Sequence, residues 1–268
     1  MRPGIGLADV QDARGRTSRN LGGEAPEAGL NLNLPPRPTP AEMDMKQEPS
    51  DEVKKEFVQR IVEWYRQYGR HDLPWRRTSS PWQVLLAAVL LRKTTAQQVA
   101  SIYPQLIEKF PDPASMADAD EEELKKIIQP LGIEHQRARL LKELAKKLVE
   151  QYGGKVPKNL DQLKTLPGVG DYTAREVLCL AYQQAQPLLD RNMIRILERA
   201  LGIKSEKKRP HTDKTLWKKA EELTPKDPET AKAFNLGILD LANKICTPRK
   251  PNCPACPIKS ICKYSRSK

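Results

Sequence analysis

From about Glu52 onward, apolar residues recur every three or four positions, the period of amphipathic helices. Phe57, Ile61, Val62 and Tyr65 make one face of a first predicted helix. Ser80 followed by Pro81 gives a cap and a first-turn proline to a second, over 82–91. Further helices are predicted around 99–110, 120–128, 136–152, 159–166, 172–184, 192–201, 212–223 and 228–245. Gly132, Gly153 and Gly202 fall where helices should stop, since glycine accepts the left-handed conformation that ends them. No segment alternates apolar and polar residues over a useful length. The pattern predicts an all-α fold.

Residues 1–50 break the pattern. They are rich in glycine and proline, contain the run Leu34-Pro35-Pro36-Arg37-Pro38-Thr39-Pro40, and read as a disordered leader. Met43 and Met45 stand just before the first helix, and either could be the true start.

Charge changes the picture of partners rather than of fold. The 268 residues carry 46 Lys and Arg against 34 Asp and Glu, a formal net charge of +12. Such a surface suits a polyanion such as nucleic acid, though charge alone leaves a merely basic enzyme open. No stretch approaches the roughly 20 apolar residues of a membrane helix, and the N-terminus lacks a signal-peptide core. An intracellular, reducing compartment is expected. The five cysteines then read as ligands or core residues, not disulfides.

Four of those cysteines, Cys246, Cys253, Cys256 and Cys262, form a C-x6-C-x2-C-x5-C run interleaved with prolines. A loop of that composition buries little and needs a metal to fold around. Thiolates ligate both zinc and iron–sulfur clusters, but zinc ribbons usually bring two C-x2-C knuckles and this run has one. Cys179 lies apart on an apolar helix and reads as core. Upstream, Leu166-Pro167-Gly168-Val169-Gly170 joins two helices by a tight turn. Glycines there let backbone N–H groups point outward together as a phosphate nest, although a bare αα-hairpin has the same pattern. About 20 residues on comes Asp190, which reads first as an N-cap of the 192–201 helix. Capping is compatible with a second role, because an ionised carboxylate is what an oxocarbenium-like transition state needs nearby.

In register, LPGVG at 166–170, Asp190 and the four-cysteine loop resemble the helix-hairpin-helix DNA glycosylases of the endonuclease III and adenine-glycosylase branch. The resemblance spans roughly residues 53–268. It implies a six-helix barrel domain with the hairpin at 78–186, beside an iron–sulfur cluster domain made of 53–77 and 187–268. It implies a [4Fe-4S] cluster on the four cysteines, and double-stranded DNA with a mismatched or damaged base as partner, bound by a monomer whose target nucleotide is flipped out. It places the protein in a prokaryotic cytoplasm with the nucleoid, without a membrane partner.

By position, Asp190 matches the family's catalytic aspartate, and Tyr172 stands where the bifunctional branch has its Schiff-base lysine. A phenol cannot form an imine, so Asp190 would work with water. Tyrosine at 172, together with Asp72-Leu73-Pro74-Trp75-Arg76, Leu91-Arg92-Lys93-Thr94-Thr95 and Pro248-Arg249-Lys250-Pro251, is similar to the archaeal G:T-mismatch thymine and uracil glycosylases. Leu166, Gly168, Val169 and Gly170 would meet DNA phosphate. Ile133 falls where the family drives an apolar wedge into the stack, and Arg92, Lys93 and Thr94 where it fills the gap left by the flipped base. A helix-start core residue and a solvated basic turn are the plainer readings of those positions.

One position departs from the pattern. Adenine glycosylases carry a catalytic glutamate where this chain has Ala88, which argues against a purine substrate and leaves activation of the leaving base without a residue. The chain also ends six residues after Cys262, without the extra domain with which adenine glycosylases read 8-oxoguanine. The expected activity is hydrolytic removal of thymine or uracil opposite guanine. A glycosylase with lyase activity through another lysine such as Lys93, and a non-catalytic cluster-bearing DNA-binding protein, are the alternatives.

Overall fold

The computed structural model describes residues 48–267, so the 1–50 leader falls outside the described residues except for its last three positions. Among the described residues, twelve α-helices with short 3-10 and π turns between them make up the regular structure, and there is no strand. In chain order they are α1 (Asp51–Tyr68), α2 (Pro81–Leu90), α3 (Ala96–Lys109), α4 (Pro113–Ala117), α5 (Glu121–Ile128) and α6 (Glu134–Tyr152), followed by α7 (Leu160–Lys164), α8 (Asp171–Leu180), α9 (Arg191–Ile196), α10 (Lys214–Leu223), α11 (Pro228–Lys244) and α12 (Lys263–Arg266). None is long and apolar enough to cross a membrane.

Local chemistry sets the helix starts. Ser80, Thr95, Asp112, Asp120, Asn159 and Asp190 each accept a hydrogen bond from a backbone N–H of the first turn, satisfying donors that the helix itself cannot. Helix α2 is buried along nearly its whole length and packs on α8, while α6 collects α4 and α5. Helix α1 lays Phe57, Ile61, Val62 and Tyr65 against α11, with Phe57 and Phe234 edge to face at 6.1 Å. Gly237 permits that approach: a Cβ there would stand 2.8 Å from Ile61 Cγ2.

Two helices end earlier than their sequence pattern predicts. Helix α8 stops at Leu180 rather than near 184, because Gln183 adopts a left-handed φ of 53° and the N–H of Gln184 turns back to Leu178 O at 3.0 Å. The helix after Asp190 is α-helical only to Ile196 and continues as a π turn over Leu197–Leu201. The wider π turn sits beside the cysteine loop, toward which Arg199 reaches.

Candidate active site and cysteine pocket

The hairpin and the turn after α2 meet. Arg92 Nη1 donates to Gly168 O at 2.9 Å, while the Val169 N–H is spent within the turn on Leu166 O at 3.1 Å. Those of Gly168 and Gly170 bond to no described residue. Gly168 has a φ of +76°, which a side chain resists, whereas a Cβ at Gly170 would meet open space. Leu166 and Val169 are buried, so their side chains hold the hairpin together and any contact made there is through backbone.

Arg137 organises this face, and sequence reasoning passed over it in a run of polar residues. From α6 it donates to Gly132 O (3.0 Å), Leu90 O (3.2 Å), Arg92 O (3.1 Å) and Thr94 Oγ1 (2.6 Å). One guanidinium thus ties the Arg92–Thr94 turn to the turn that carries Ile133. Ile133 is 52% exposed with a left-handed φ of 48°, and Lys93 has a φ of 60°. A β-branched residue held there in that conformation is strained, and strain of this kind collects at functional sites. Ile133, Arg92 and Lys93 border the same groove. A second, broader cleft runs past Gly170 and Tyr172 and is lined by the cations Lys164, Arg175, Lys214 and Lys218. Arg175 stacks over Trp217 at 4.9 Å in that cleft.

Asp190 is the N-cap of α9, as its sequence context predicts. Its Oδ1 accepts from the backbone N–H of Asn192 and of Met193, both at 2.8 Å, and its Oδ2 accepts from Asn192 Nδ2 at 2.7 Å. The preceding loop is clamped by the fully buried Asn235 of α11, which accepts from the Leu188 N–H at 3.1 Å and donates to Gln186 O at 2.9 Å. A helix N-terminus favours the ionised form, but here burial outweighs the hydrogen bonds and raises the carboxyl above the usual aspartate range. Burial, followed by the Glu176 and Asp190 charges, keeps Tyr172 a neutral phenol well above its usual range. Behind them Arg76 forms a bidentate pair with Asp240 (2.7 and 3.0 Å), and Arg70 adds its backbone N–H and Nε to the same carboxylate, each at 2.8 Å.

All four loop cysteines line one small pocket, with Ile196, Ala200, Ile245 and Ile258 among its apolar walls. Burial pushes the Cys256 thiol up to about 11 and raises Cys262 as well. Four sulfurs around an apolar space suit a group whose positive charge compensates thiolates. Among the described residues no three His, Cys, Asp or Glu side chains converge as a single ion needs. A polar chain links this pocket to the aspartate. Arg195 donates to Cys246 O at 3.0 Å and to Asn192 Oδ1 at 3.1 Å, and Asn192 donates to Asp190. Cys179 is buried on α8, outside the pocket, as expected of a core residue.

With this geometry in hand, the match of residues 86–222 to the HhH-GPD superfamily of base excision DNA repair proteins has a physical basis, and the chain belongs to that superfamily. It is 58% identical over 205 residues to a thymine-DNA glycosylase of Aeropyrum pernix, covering 76% of this chain and 92% of that relative. Identity to a thymine/uracil-DNA glycosylase of Pyrobaculum aerophilum is 54% over 209 residues, 78% of this chain and 91% of the relative. The solved structure of a thermostable thymine-DNA glycosylase superposes with a TM-score of 0.76 at 36% identity, covering 81% of this chain and 98% of that one.

Proposed function

We propose that this protein is a monofunctional DNA glycosylase that hydrolyses the N-glycosidic bond of thymine or uracil mispaired with guanine. The observation that carries this reading is the pairing of a carboxyl fixed by three donors, Asp190, with a neutral phenol at Tyr172. An amine at 172 would attack C1′ and open a path to strand cleavage; a phenol leaves hydrolysis. The names of the relatives supply the choice of base. In this reading the Gly168 and Gly170 N–H groups and the cleft cations hold duplex phosphates, and Ile133 enters the stack. Arg92, Lys93 and Thr94 occupy the space the nucleotide leaves. The helices of 78–186 and those of 53–77 with 187–268 form the two lobes that grip the duplex.

Duplexes carrying T, U, A or hypoxanthine opposite each base test it. Release of T and U opposite G, with strands breaking only after alkali, is expected. Breakage before alkali, or release of A alone, would overturn it.

Cys246, Cys253, Cys256 and Cys262 are the residues that would hold a [4Fe-4S] cluster. When bound, it cross-links the loop through iron–thiolate bonds and neutralises the thiolates. The chain from Cys246 through Arg195 and Asn192 would then keep Asp190 in place. Anaerobically purified protein is expected to be yellow-brown with about four irons per chain. Stoichiometric zinc without iron would contradict the assignment.

A further inference from the structure

One helical turn after Tyr172, and on the same side of α8, stands Glu176. It is 6% exposed, yet its carboxyl forms no hydrogen bond with any described residue. Few charges face it. Asp190 and Arg76 act on it from outside α8, with Tyr172 and Cys179 as titratable neighbours on α8 itself. Arg76 gives both terminal nitrogens to Asp240 and keeps only a buried, unpartnered Nε, and α2, packed across from α8, has no titratable side chain. A largely buried carboxyl with no protein donor, whose oxygens still reach solvent, calls for a reason other than folding.

Burial, followed by the Asp190 charge, pushes Glu176 up to about 7. Of the two carboxyls, Asp190 holds three donors and Glu176 none, so Asp190 ionises first and Glu176 keeps the proton. Two carboxyls driven apart in this way mark an acid and its ionised companion. A departing pyrimidine needs such an acid, and Ala88 on α2 cannot be one.

We infer that Glu176 is a further catalytic residue, the acid that gives its proton to the flipped pyrimidine as the base departs. The inference rests on the glycosylase reading above. The C1′–N1 bond breaks with its electron pair going to the base, where a ring carbonyl oxygen takes the Glu176 proton. Water adds to C1′ and loses a proton to the Asp190 carboxylate, and exchange with solvent resets both groups. One water is consumed; free base and an abasic sugar result.

Glu176→Gln keeps the shape and removes the transferable proton. Single-turnover release is compared for thymine and for 5-fluorouracil opposite guanine, the fluorine making the second base a better leaving group. At about pH 6.5, thymine release is expected to fall about 100-fold in the variant and 5-fluorouracil release by less than about 10-fold. The wild-type thymine rate should decline as pH rises through about 7, and the variant should lose that decline. A carboxyl raised in the folded state weakens the fold as pH rises beyond its unfolded value. The variant should therefore melt above wild type at about pH 8 and close to it at about pH 4.

Wild-type thymine release by the variant overturns the inference, as does an equal loss on both bases with an unchanged pH profile. Should the variant not fold, a flat wild-type thymine profile from about pH 6 to 8 overturns it on its own. A wild type that releases neither base instead sinks the parent reading, and this one with it.

Discussion

Asp190→Asn is expected to slow thymine release a few hundred-fold while leaving DNA binding and folding nearly intact. The variant still offers an oxygen to the Asn192 and Met193 N–H groups, so α9 keeps its cap. Its lost charge is missed when the sugar becomes cationic, and about 3–4 kcal/mol of transition-state stabilisation corresponds to that rate. Burial already raises this carboxyl, so neutralising it relieves a desolvation cost and the melting temperature should not drop much. The sign of the shift also fixes the acid side of the pH profile. Activity should fall, as protons are added, at a pH above the ordinary aspartate range. Stopped single-turnover assays beside a binding titration check both parts. Equal rates for variant and wild type would leave Asp190 as a cap and nothing more.

Asp240→Asn is expected to cost about 3–5 kcal/mol of folding stability, the usual result of stripping one partner from a buried ion pair. Asp240 is fully buried and Arg76 nearly so, and the variant would leave the guanidinium charge without an anion. Burial alone would raise the Asp240 carboxyl, but the Arg76 and Arg70 donors outweigh it and hold it below the usual range. The stabilisation is therefore present above the unfolded pKa and lost as pH falls through the depressed folded value. Urea melts should show a large gap between wild type and variant near neutral pH that closes in strong acid. A loss below about 1 kcal/mol would make this pair ornamental to the fold.

The long helices were legible because their apolar spacing is regular and their starts carry Ser, Thr, Asp or Asn caps. Ends marked by glycine were legible too: Gly153 and Gly202 take left-handed φ values of 58° and 72° at the ends of α6 and the π turn. The end of α8 was not, since Gln183 does by packing what glycine does by chemistry. Helix α4 was missed because five residues are too short to display a period.

The cysteines stood out in the sequence because their number and spacing are unusual, whereas Asp190 and Tyr172 were singled out by the positions the family resemblance gave them. Glu176 and Arg137 did not stand out. In a chain with 30% charged residues, each reads as one more solvated side chain. What distinguishes them is burial, created by α2 packing on α8 and by two turns closing over one guanidinium. A buried-face position one turn from Tyr172 was the available signal for Glu176. Leu166 and Val169 show the converse, since their place in the hairpin motif suggested contact with DNA while their side chains fill the core.

Hydrolysis at a thymine opposite guanine is the central claim, and a G:T duplex under single-turnover conditions tests it most directly. One portion of the reaction is quenched with alkali, one without, and one in borohydride. Full release of thymine, strands intact until alkali, and no covalent complex on borohydride is the predicted result. Thymine left in place, or a trapped enzyme–DNA complex with strands already cut, would contradict it.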